Sequence, residues 1–158
     1  MCGITGFISS QILNPKQVIR SMIGTLFHRG PDNTSIWNNK SGVNLGHSRL
    51  SIIDLSEFGN QPISSKSGRY TMVFNGEIYN HLVLRKEINI LTPTQWRGSS
   101  DSETFVELID CFGIKEALIK TRGMFAVSIW DEKKKILTLC RDRFGEKPLY
   151  YGWQNNSF

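Results

Sequence analysis

The second residue of the chain, Cys2, offers a nucleophile and a base in a single amino acid. If Met1 is removed, the Cys2 thiol lies beside a free α-amine, and the small side chain at position 2 favours that removal. An α-amine has an ordinary pKa of about 7.7–8.0, so near neutral pH a useful fraction is unprotonated and can accept the thiol proton. From position alone, an incidental small residue at position 2 is the favoured interpretation.

The dipeptide Asn75-Gly76 follows a run of strand-forming residues, Tyr70 to Phe74. Asn-Gly is a strong turn signal, so the pattern predicts that the strand stops there. From the dipeptide alone, a hairpin turn without a chemical role is the favoured interpretation.

Seven short segments, taken in order, resemble one protein family. They are MCGITGF (1–7), HRGPD (28–32), GHSRLSIID (46–54), GNQP (59–62), FNGEIYNH (74–81), SDSE (100–103) and RDRFG (141–145). Together they resemble the class II, N-terminal-nucleophile glutamine amidotransferases. Within that family, the chain is similar to the glutaminase domain of glutamine-hydrolysing asparagine synthetases, from Cys2 to about Gly152.

The resemblance implies three catalytic residues, Cys2, Asn75 and Gly76. The Cys2 thiolate attacks the side-chain amide of L-glutamine, which gives a thioester and ammonia, and water then releases glutamate. The Asn75 side-chain amide and the Gly76 backbone N–H form the oxyanion hole, in which one donor is worth roughly 10²–10³ in rate. We expect a turn at this point to expose both donors.

The resemblance also implies the residues that bind glutamine. Arg49 is the clamp for the α-carboxylate, because a guanidinium fork binds a carboxylate through two hydrogen bonds. Glu77 and Asp101 hold the α-ammonium group, and backbone groups near Ile52 and Ile53 hold the side-chain end. For the charged residues the alternative is a solvated surface ion pair, and Asp101 could also cap a helix.

The remaining motif residues are expected to support the site. His47 is interpreted as a packed, hydrogen-bonded histidine, because the α-amine already fills the role of general base. Structural roles are expected for the others: ordering of the loop over the site for His28, Arg29 and Asp32, a polar network for Arg141, Asp142 and Arg143, and core packing for Cys111 and Cys140.

The elements that position these residues are predicted from periodicity and breaker residues. Strands are predicted over 3–8, 42–53, 70–74, 123–130 and 136–140, with another beginning at 148–152. Helices are predicted from Pro15 to about His28, over 80–88 and over 101–119, the last capped by Ser100 or Ser102. Hairpins with segregated helices indicate an α+β fold with antiparallel sheets. The resemblance implies the four-layer αββα sandwich of the Ntn hydrolases, with two antiparallel sheets flanked by helices.

Composition excludes several classes of partner. The 158 residues, 39% of them apolar, predict one domain with one core. The net charge of +5 is dispersed, and its only run, Lys133 to Lys135, is interpreted as a solvated hairpin turn, so no nucleic-acid partner is expected. There is no apolar run of membrane-spanning length and no secretory signal, which predicts a cytoplasmic protein without a membrane partner. Three cysteines without a CxxC pair and three dispersed histidines predict free thiols and no metal site.

The resemblance sets the expected domain content and function. Residues 2–158 form a glutaminase domain that we expect to be incomplete at its C-terminus, because the family's final strands do not follow Phe158. No SGGxDS-like phosphate loop occurs, so no cofactor is expected in this chain; ATP and Mg²⁺ are expected only in a synthetase (ATP-pyrophosphatase) domain, in cis or in trans. The predicted function is glutamine hydrolysis that supplies ammonia for amidation of aspartate to asparagine. Segment 96–101 also resembles homologues encoded near surface-polysaccharide genes, so a sugar carboxylate is an alternative acceptor, and an inactive remnant is a third alternative. The resemblance also allows a homodimer.

Overall fold

A computed structural model describes all residues, 1–158, and contains seven strands, four α-helices and two single-turn 3₁₀ helices. The strands are β1 (Gly3–Ile8), β2 (Asn33–Asn38), β3 (Val43–Arg49), β4 (Ile63–Ser64), β5 (Tyr70–Ile78), β6 (Gly123–Asp131) and β7 (Ile136–Arg141). The helices are α1 (Pro15–Gly24), α2 (His81–Leu91), α3 (Asp101–Phe112) and α4 (Ile114–Lys120); the 3₁₀ turns span Phe27–Arg29 and Glu57–Gly59. No helix is long and apolar enough to cross a membrane.

Two antiparallel sheets pack face to face with helices outside them. The first sheet has the order β1-β3-β2 and is covered by α1. The second has the order β4-β5-β6-β7, and α3 packs on its outer face with α2 and α4 against it. The sequence of layers is therefore helix, sheet, sheet, helix, which confirms the predicted α+β fold of two antiparallel sheets flanked by helices.

Strand alternation decides which side chains face the space between the sheets. Successive side chains of a strand point to opposite faces. Val43 and Leu45 of β3 pack there with Val73 of β5 and Trp130 of β6. Continuing the alternation brings His47 and Arg49 of β3 to the same inner space, together with Asn75 and Glu77 of β5. The polar residues of the motifs are therefore the continuation of an apolar inter-sheet core.

The larger core lies between the second sheet and α2, α3 and α4, and contains 15 buried residues. At its centre the rings of Phe74, Phe105 and Phe125 contact one another, with centroids 5.6–6.4 Å apart. Phe74 belongs to β5, Phe125 to β6 and Phe105 to α3. This contact fixes α3, and with it Asp101 at its first turn, relative to the strand that carries Asn75.

The prediction that β5 stops at Asn75-Gly76 is wrong. The strand continues to Ile78, and Asn75 and Gly76 lie opposite Ala126 and Phe125 of β6. Pairing with a distant strand overrides the local turn preference. Glycine is needed there for another reason, because a Cβ on Gly76 would lie 2.1 Å from the Met124 carbonyl oxygen and 2.7 Å from the Phe125 Cα.

Several predicted boundaries also change. The helix predicted from Pro15 to about His28 ends at Gly24, and the helix predicted over 80–88 continues to Leu91. The helix predicted over 101–119 is two helices, because Gly113 has φ +79° and a continuous helix requires negative φ. The strand predicted over 42–53 ends at Arg49, where the chain leaves β1 and β2. Residues 148–152 form no strand, since Pro148 has no N–H to donate and the segment pairs with no other strand.

Candidate active site

All eight residues predicted to form the site line one cleft at the end of the inter-sheet space. They are Cys2, Arg49, Ile52, Ile53, Asn75, Gly76, Glu77 and Asp101. The cleft is also lined by residues without a predicted catalytic or binding role, among them His47, Asp54, Gly59, Gln61 and Lys147. Ile52 and Ile53 are the most exposed of the eight and lie at its mouth.

Cys2 lies immediately before β1, and its position is fixed from two sides. The register pairs Gly3 with Ser48, so its continuation by one residue places Cys2 opposite Arg49. The Leu50 N–H donates to Cys2 Sγ at 3.4 Å, and Arg29 Nε donates to the Cys2 carbonyl oxygen at 3.1 Å. Met1 also lines the cleft, so its removal would leave the Cys2 α-amine there, next to the thiol.

The outer edge of β5 presents three N–H groups, of which the middle one lies in the cleft. Phe74 N–H donates to Gln61 Oε1 at 2.6 Å, and Ile78 N–H donates to Asp101 Oδ2 at 2.8 Å. Gly76 lies between Phe74 and Ile78, and every second N–H of a strand points to the same edge. Phe125, which lies opposite Gly76 on β6, turns its own N–H and C=O away from β5 and toward β7, where they bond to Asp142. The Gly76 N–H therefore points to the edge that β4 no longer covers, beside the Asn75 side chain. A strand edge, rather than a turn, brings the two donors together.

Arg49 is a buried guanidinium held by the loop that follows β3. Its Nη1 donates to the Ser56 carbonyl oxygen at 2.7 Å and to Asn60 Oδ1 at 2.8 Å, and its Nη2 donates to the Asp54 carbonyl oxygen. A Cβ on Gly59 would lie 2.2 Å from Nη2. Gly59 and Asn60 belong to the quoted GNQP segment, yet neither had a predicted role. In the structure they set the position of the guanidinium.

Asp54 connects this loop to the segment before α3. Its Oδ1 accepts hydrogen bonds from the Ser56 N–H at 2.8 Å and the Ser56 hydroxyl at 2.6 Å, and its Oδ2 accepts one from the Ser99 N–H at 2.7 Å. Burial opposes ionisation of this carboxyl, but the hydrogen bonds from Ser56 and Ser99 outweigh it and lower its pKa to about 2. Asp54 is thus an anion that ties two loops together on the wall of the cleft.

A buried polar network orders the first turn of α3. The Ser100 hydroxyl caps the helix by accepting from the Glu103 N–H at 3.2 Å. Glu103, completely buried, accepts from the Arg97 N–H at 2.9 Å and the Gly98 N–H at 3.1 Å. The Arg85 guanidinium donates to the Ser100 carbonyl oxygen at 2.9 Å. Sequence reasoning gave Glu103 and Arg85 no role, although the S-x-x-E spacing of Ser100 and Glu103 is a visible signal.

Asp101 emerges from this network into the cleft and is 7% exposed. Its helix is capped by Ser100, so the alternative that Asp101 is the N-cap is wrong. Burial raises the pKa of Asp101, and the hydrogen bond from the Ile78 N–H opposes part of that rise. Ionised Asp101 is a buried carboxylate without a cationic partner among the ion pairs of the chain, which suits it to bind a cation.

The supporting residues follow the predictions in part. Asp32 accepts from the Ser51 N–H at 2.7 Å, so with Arg29 it orders the loop between Arg49 and the mouth of the cleft. Asp142 accepts hydrogen bonds from four backbone N–H groups. Burial opposes ionisation of this carboxyl, but these hydrogen bonds outweigh it and lower its pKa to about 2. Cys111 is exposed rather than in the core, because it lies on the outer side of α3.

His47 differs from its prediction in one respect. It is packed and completely buried, as expected, but neither ring nitrogen has a hydrogen-bond partner in the protein. Burial lowers its pKa to about 4, an effect that the nearby Phe74 backbone offsets in part. The ring is therefore neutral at physiological pH.

The fold matches that of a solved amidotransferase. Glutamine phosphoribosylpyrophosphate amidotransferase from Bacillus subtilis superposes with a TM-score of 0.82 over 99% of this chain and 40% of its own, at 18% identity. That likeness shows that this chain has the same fold as part of that amidotransferase.

Sequence comparison identifies the family. The family described as "Glutamine amidotransferase domain" matches residues 1–158, and the chain belongs to it. Asparagine synthetase [glutamine-hydrolyzing] 3 of Bacillus subtilis is 37% identical over 100% of this chain and 26% of its own length. Amidase chry2 of Gibberella zeae is 38% identical over 99% of this chain and 25% of its own length. The chain thus spans about a quarter of the length of these relatives.

Proposed function

We propose that the cleft hydrolyses L-glutamine to glutamate and ammonia through a thioester on Cys2. The observation that carries this proposal is the convergence of Cys2, the Asn75 side chain and the outward-facing Gly76 N–H on one cleft. A sulfur nucleophile and two adjacent donors are the parts that acyl transfer from an amide requires.

In the first half-reaction Cys2 Sγ attacks the γ-carbonyl carbon while the α-amine of Cys2 accepts the thiol proton. The carbonyl oxygen becomes an oxyanion that Asn75 and Gly76 stabilise. The amine then returns the proton to the departing nitrogen, the C–N bond breaks and ammonia leaves. Water hydrolyses the thioester in the second half-reaction and releases glutamate.

The charged walls of the cleft match the other end of glutamine. Arg49 is fixed by three acceptors through Nη1 and Nη2, while its Nε has no acceptor in the protein, so that donor is free for an α-carboxylate. Three carboxylates line the same cleft, those of Asp54, Glu77 and Asp101. Asp54 accepts hydrogen bonds from Ser56 and Ser99, which leaves Glu77 and Asp101 for an α-ammonium group. Opposite charges on opposite walls favour an amino acid bound as its zwitterion.

For the ammonia, we propose amidation of aspartate to asparagine by a synthetase part that acts in cis or in trans and carries ATP and Mg²⁺. The name of the Bacillus subtilis relative supports aspartate as the acceptor. A relative of similar identity is named an amidase. A second acceptor, such as a sugar carboxylate, is therefore tested in the same assay. We propose the cytoplasm as the compartment, because all three cysteines are free.

The experiment is a glutaminase assay on the purified chain, with intact mass measured on the same sample. We expect a protein without Met1 that forms glutamate and ammonia in equal amounts. Cys2→Ala should abolish both products, whereas Cys111→Ala, an exposed cysteine, should leave the rate unchanged. Activity in the Cys2→Ala variant, or active protein that retains Met1, would contradict the mechanism.

The acceptor is tested by adding aspartate and ATP, which this chain alone should not convert to asparagine. Addition of a synthetase partner with amide-labelled glutamine should then place the label in asparagine. Labelled product from another carboxylate would identify the alternative acceptor. Light scattering on the same preparation tests for the homodimer.

A further inference from the structure

His47 is a completely buried imidazole that the reaction described above does not use. It lines the same cleft as Cys2 and Asn75, and neither Nδ1 nor Nε2 makes a hydrogen bond to the protein. The Phe74 backbone lies close enough to influence the ring without reaching hydrogen-bond geometry. A buried polar group without a partner is costly, so its presence in a reactive cleft indicates a ligand.

The register of the first sheet places His47 next to the nucleophile. His47 lies opposite Ile4 and on the same strand face as Arg49, which the continued register places opposite Cys2. His47 and Cys2 are therefore diagonal neighbours, with side-chain origins about 7–8 Å apart. An imidazole ring and one water molecule together span the distance from His47 to a group bound on Cys2 Sγ.

The ring is suited to hold that water but not to deprotonate it. A neutral imidazole carries one N–H donor and one acceptor nitrogen, whichever tautomer is present. Because burial lowers the pKa of His47 to about 4, it takes up a proton poorly at neutral pH. The α-amine of Cys2 stays the general base in both half-reactions.

We infer that His47 binds and orients the water molecule that hydrolyses the glutamyl thioester. This inference rests on the proposed function and concerns only its second half-reaction. One O–H of the water donates to the unprotonated ring nitrogen of His47, and the other faces the α-amine of Cys2. The water oxygen forms a bond to the thioester carbon as the amine accepts the second proton. The C–S bond then breaks, glutamate leaves, and the sulfur recovers the proton from the amine.

Hydroxylamine separates this role from simple packing. It attacks the thioester directly and gives γ-glutamyl hydroxamate, so it reports acylation without the bound water. The variants are His47→Leu, which removes the acceptor at similar volume, and His47→Gln and His47→Asn, which place an amide near Nε2 or Nδ1. Glutamate and hydroxamate are measured together at saturating glutamine, and intact mass detects acyl-enzyme.

For His47→Leu we expect glutamate formation to fall by about tenfold or more, the loss of roughly one hydrogen bond in the transition state. Hydroxamate formation at saturating hydroxylamine should stay within about twofold of wild type, and the acyl-enzyme should accumulate. One of the two amide variants should restore the wild-type ratio of glutamate to hydroxamate. A parallel loss of both products, or an unchanged ratio, would overturn the inference.

Two further outcomes keep the test decisive. If His47→Leu does not fold, His47→Met is measured instead. If neither folds, the comparison of His47→Gln with His47→Asn tests the inference. A water bound to one ring nitrogen requires the two variants to differ in their ratio of glutamate to hydroxamate, and equal ratios would overturn the inference. Wild-type protein that forms neither product would count against the proposed function itself, whereas normal wild-type activity with an unchanged ratio would count against His47 alone.

Discussion

Asp101 and Ile78 connect the helical layer to the strand that bears Asn75 and Gly76. Asp101 Oδ2 accepts the Ile78 N–H at 2.8 Å, two residues beyond Gly76 on the same edge of β5. The carboxylate therefore has two tasks that a single substitution can separate. It closes the strand edge through one oxygen, and it presents negative charge to the cleft.

Asp101→Asn should impair glutamine binding without unfolding the protein. The amide oxygen can still accept the Ile78 N–H, so the midpoint of thermal unfolding should stay close to wild type. Loss of the charge that we propose to bind the α-ammonium group should raise KM for glutamine by about tenfold or more. Steady-state kinetics and thermal unfolding on the same preparation check both expectations.

The matched variant is Asp101→Ala, which also leaves the Ile78 N–H without its acceptor. It should lose an additional 1–3 kcal/mol or so of unfolding free energy, the cost of an unpaired buried group. If the Asn and Ala variants are equally stable, the bond to Ile78 does not support the fold. An unchanged KM in both would place Asp101 outside the glutamine site.

Asn75→Ala should act on the rate rather than on binding. Asn75 is 6% exposed and lies beside the Gly76 N–H, where the proposed reaction develops an oxyanion. Removing one such donor costs roughly 10²–10³ in kcat, with little change in KM, because the oxyanion exists only in the transition state. Asn38→Ala, an exposed asparagine of β2, is the control and should retain full activity. A large KM effect with normal kcat would instead make Asn75 a ground-state binding residue.

The resemblance of the motifs to the amidotransferase family predicted which residues meet, but not how the site is built. Arg49 and Asn75 were placed in one site because the segments around them resemble that family's motifs. The edge geometry of Gly76 could not be predicted, since Asn-Gly is a turn signal locally and only pairing with β6 shows that the strand continues. Asn75 and its partner Ala126 lie about fifty positions apart, so a short stretch of sequence around either residue does not encode their pairing.

The supporting residues were missed for a related reason. Gly59 acts by having no side chain where the Arg49 guanidinium packs, and Glu103 acts through backbone N–H groups of Arg97 and Gly98. Neither interaction has a periodic or compositional signature, because the S-x-x-E spacing of Ser100 and Glu103 marks the helix cap and not the bonds to Arg97 and Gly98. His47 was placed correctly in the interior, but hydrogen-bond partners depend on which atoms approach the ring, and the sequence does not specify them.

Burial of His47 predicts an acid-sensitive fold. Its pKa is lowered to about 4 from an ordinary value of 6.5, so between these values the unfolded chain binds the proton that the folded chain excludes. Stability is therefore fully present above pH 6.5 and declines as the pH falls toward 4, by on the order of 3 kcal/mol. Burial also lowers the pKa of His81, which adds to the slope with the same sign.

Urea unfolding at a series of pH values measures that slope. His47→Gln, which cannot be protonated, should flatten the dependence between pH 6.5 and 4 relative to wild type. Asp54 and Asp142, whose pKa values lie near 2, should destabilise the protein only below about pH 4 in both proteins. A slope that is identical in wild type and His47→Gln would show that His47 is not the titrating group.

Gly59→Ala should displace the Arg49 guanidinium without removing its charge. The new Cβ would lie 2.2 Å from Nη2 and 2.9 Å from Cζ, so the guanidinium has to move away from the cleft position it now holds. We expect KM for glutamine to rise by about tenfold or more, as in Arg49→Lys, which keeps the charge but loses the Nε donor and the Nη bonds that fix its position. Both variants should also lose stability, because the bonds to Ser56 and Asn60 are disturbed.

Gly152→Ala is the control, since a Cβ there meets nothing within 4 Å and φ is not positive. Wild-type kinetics for Gly59→Ala would mean that the guanidinium relaxes freely, and that its fixed position is not what binds the carboxylate.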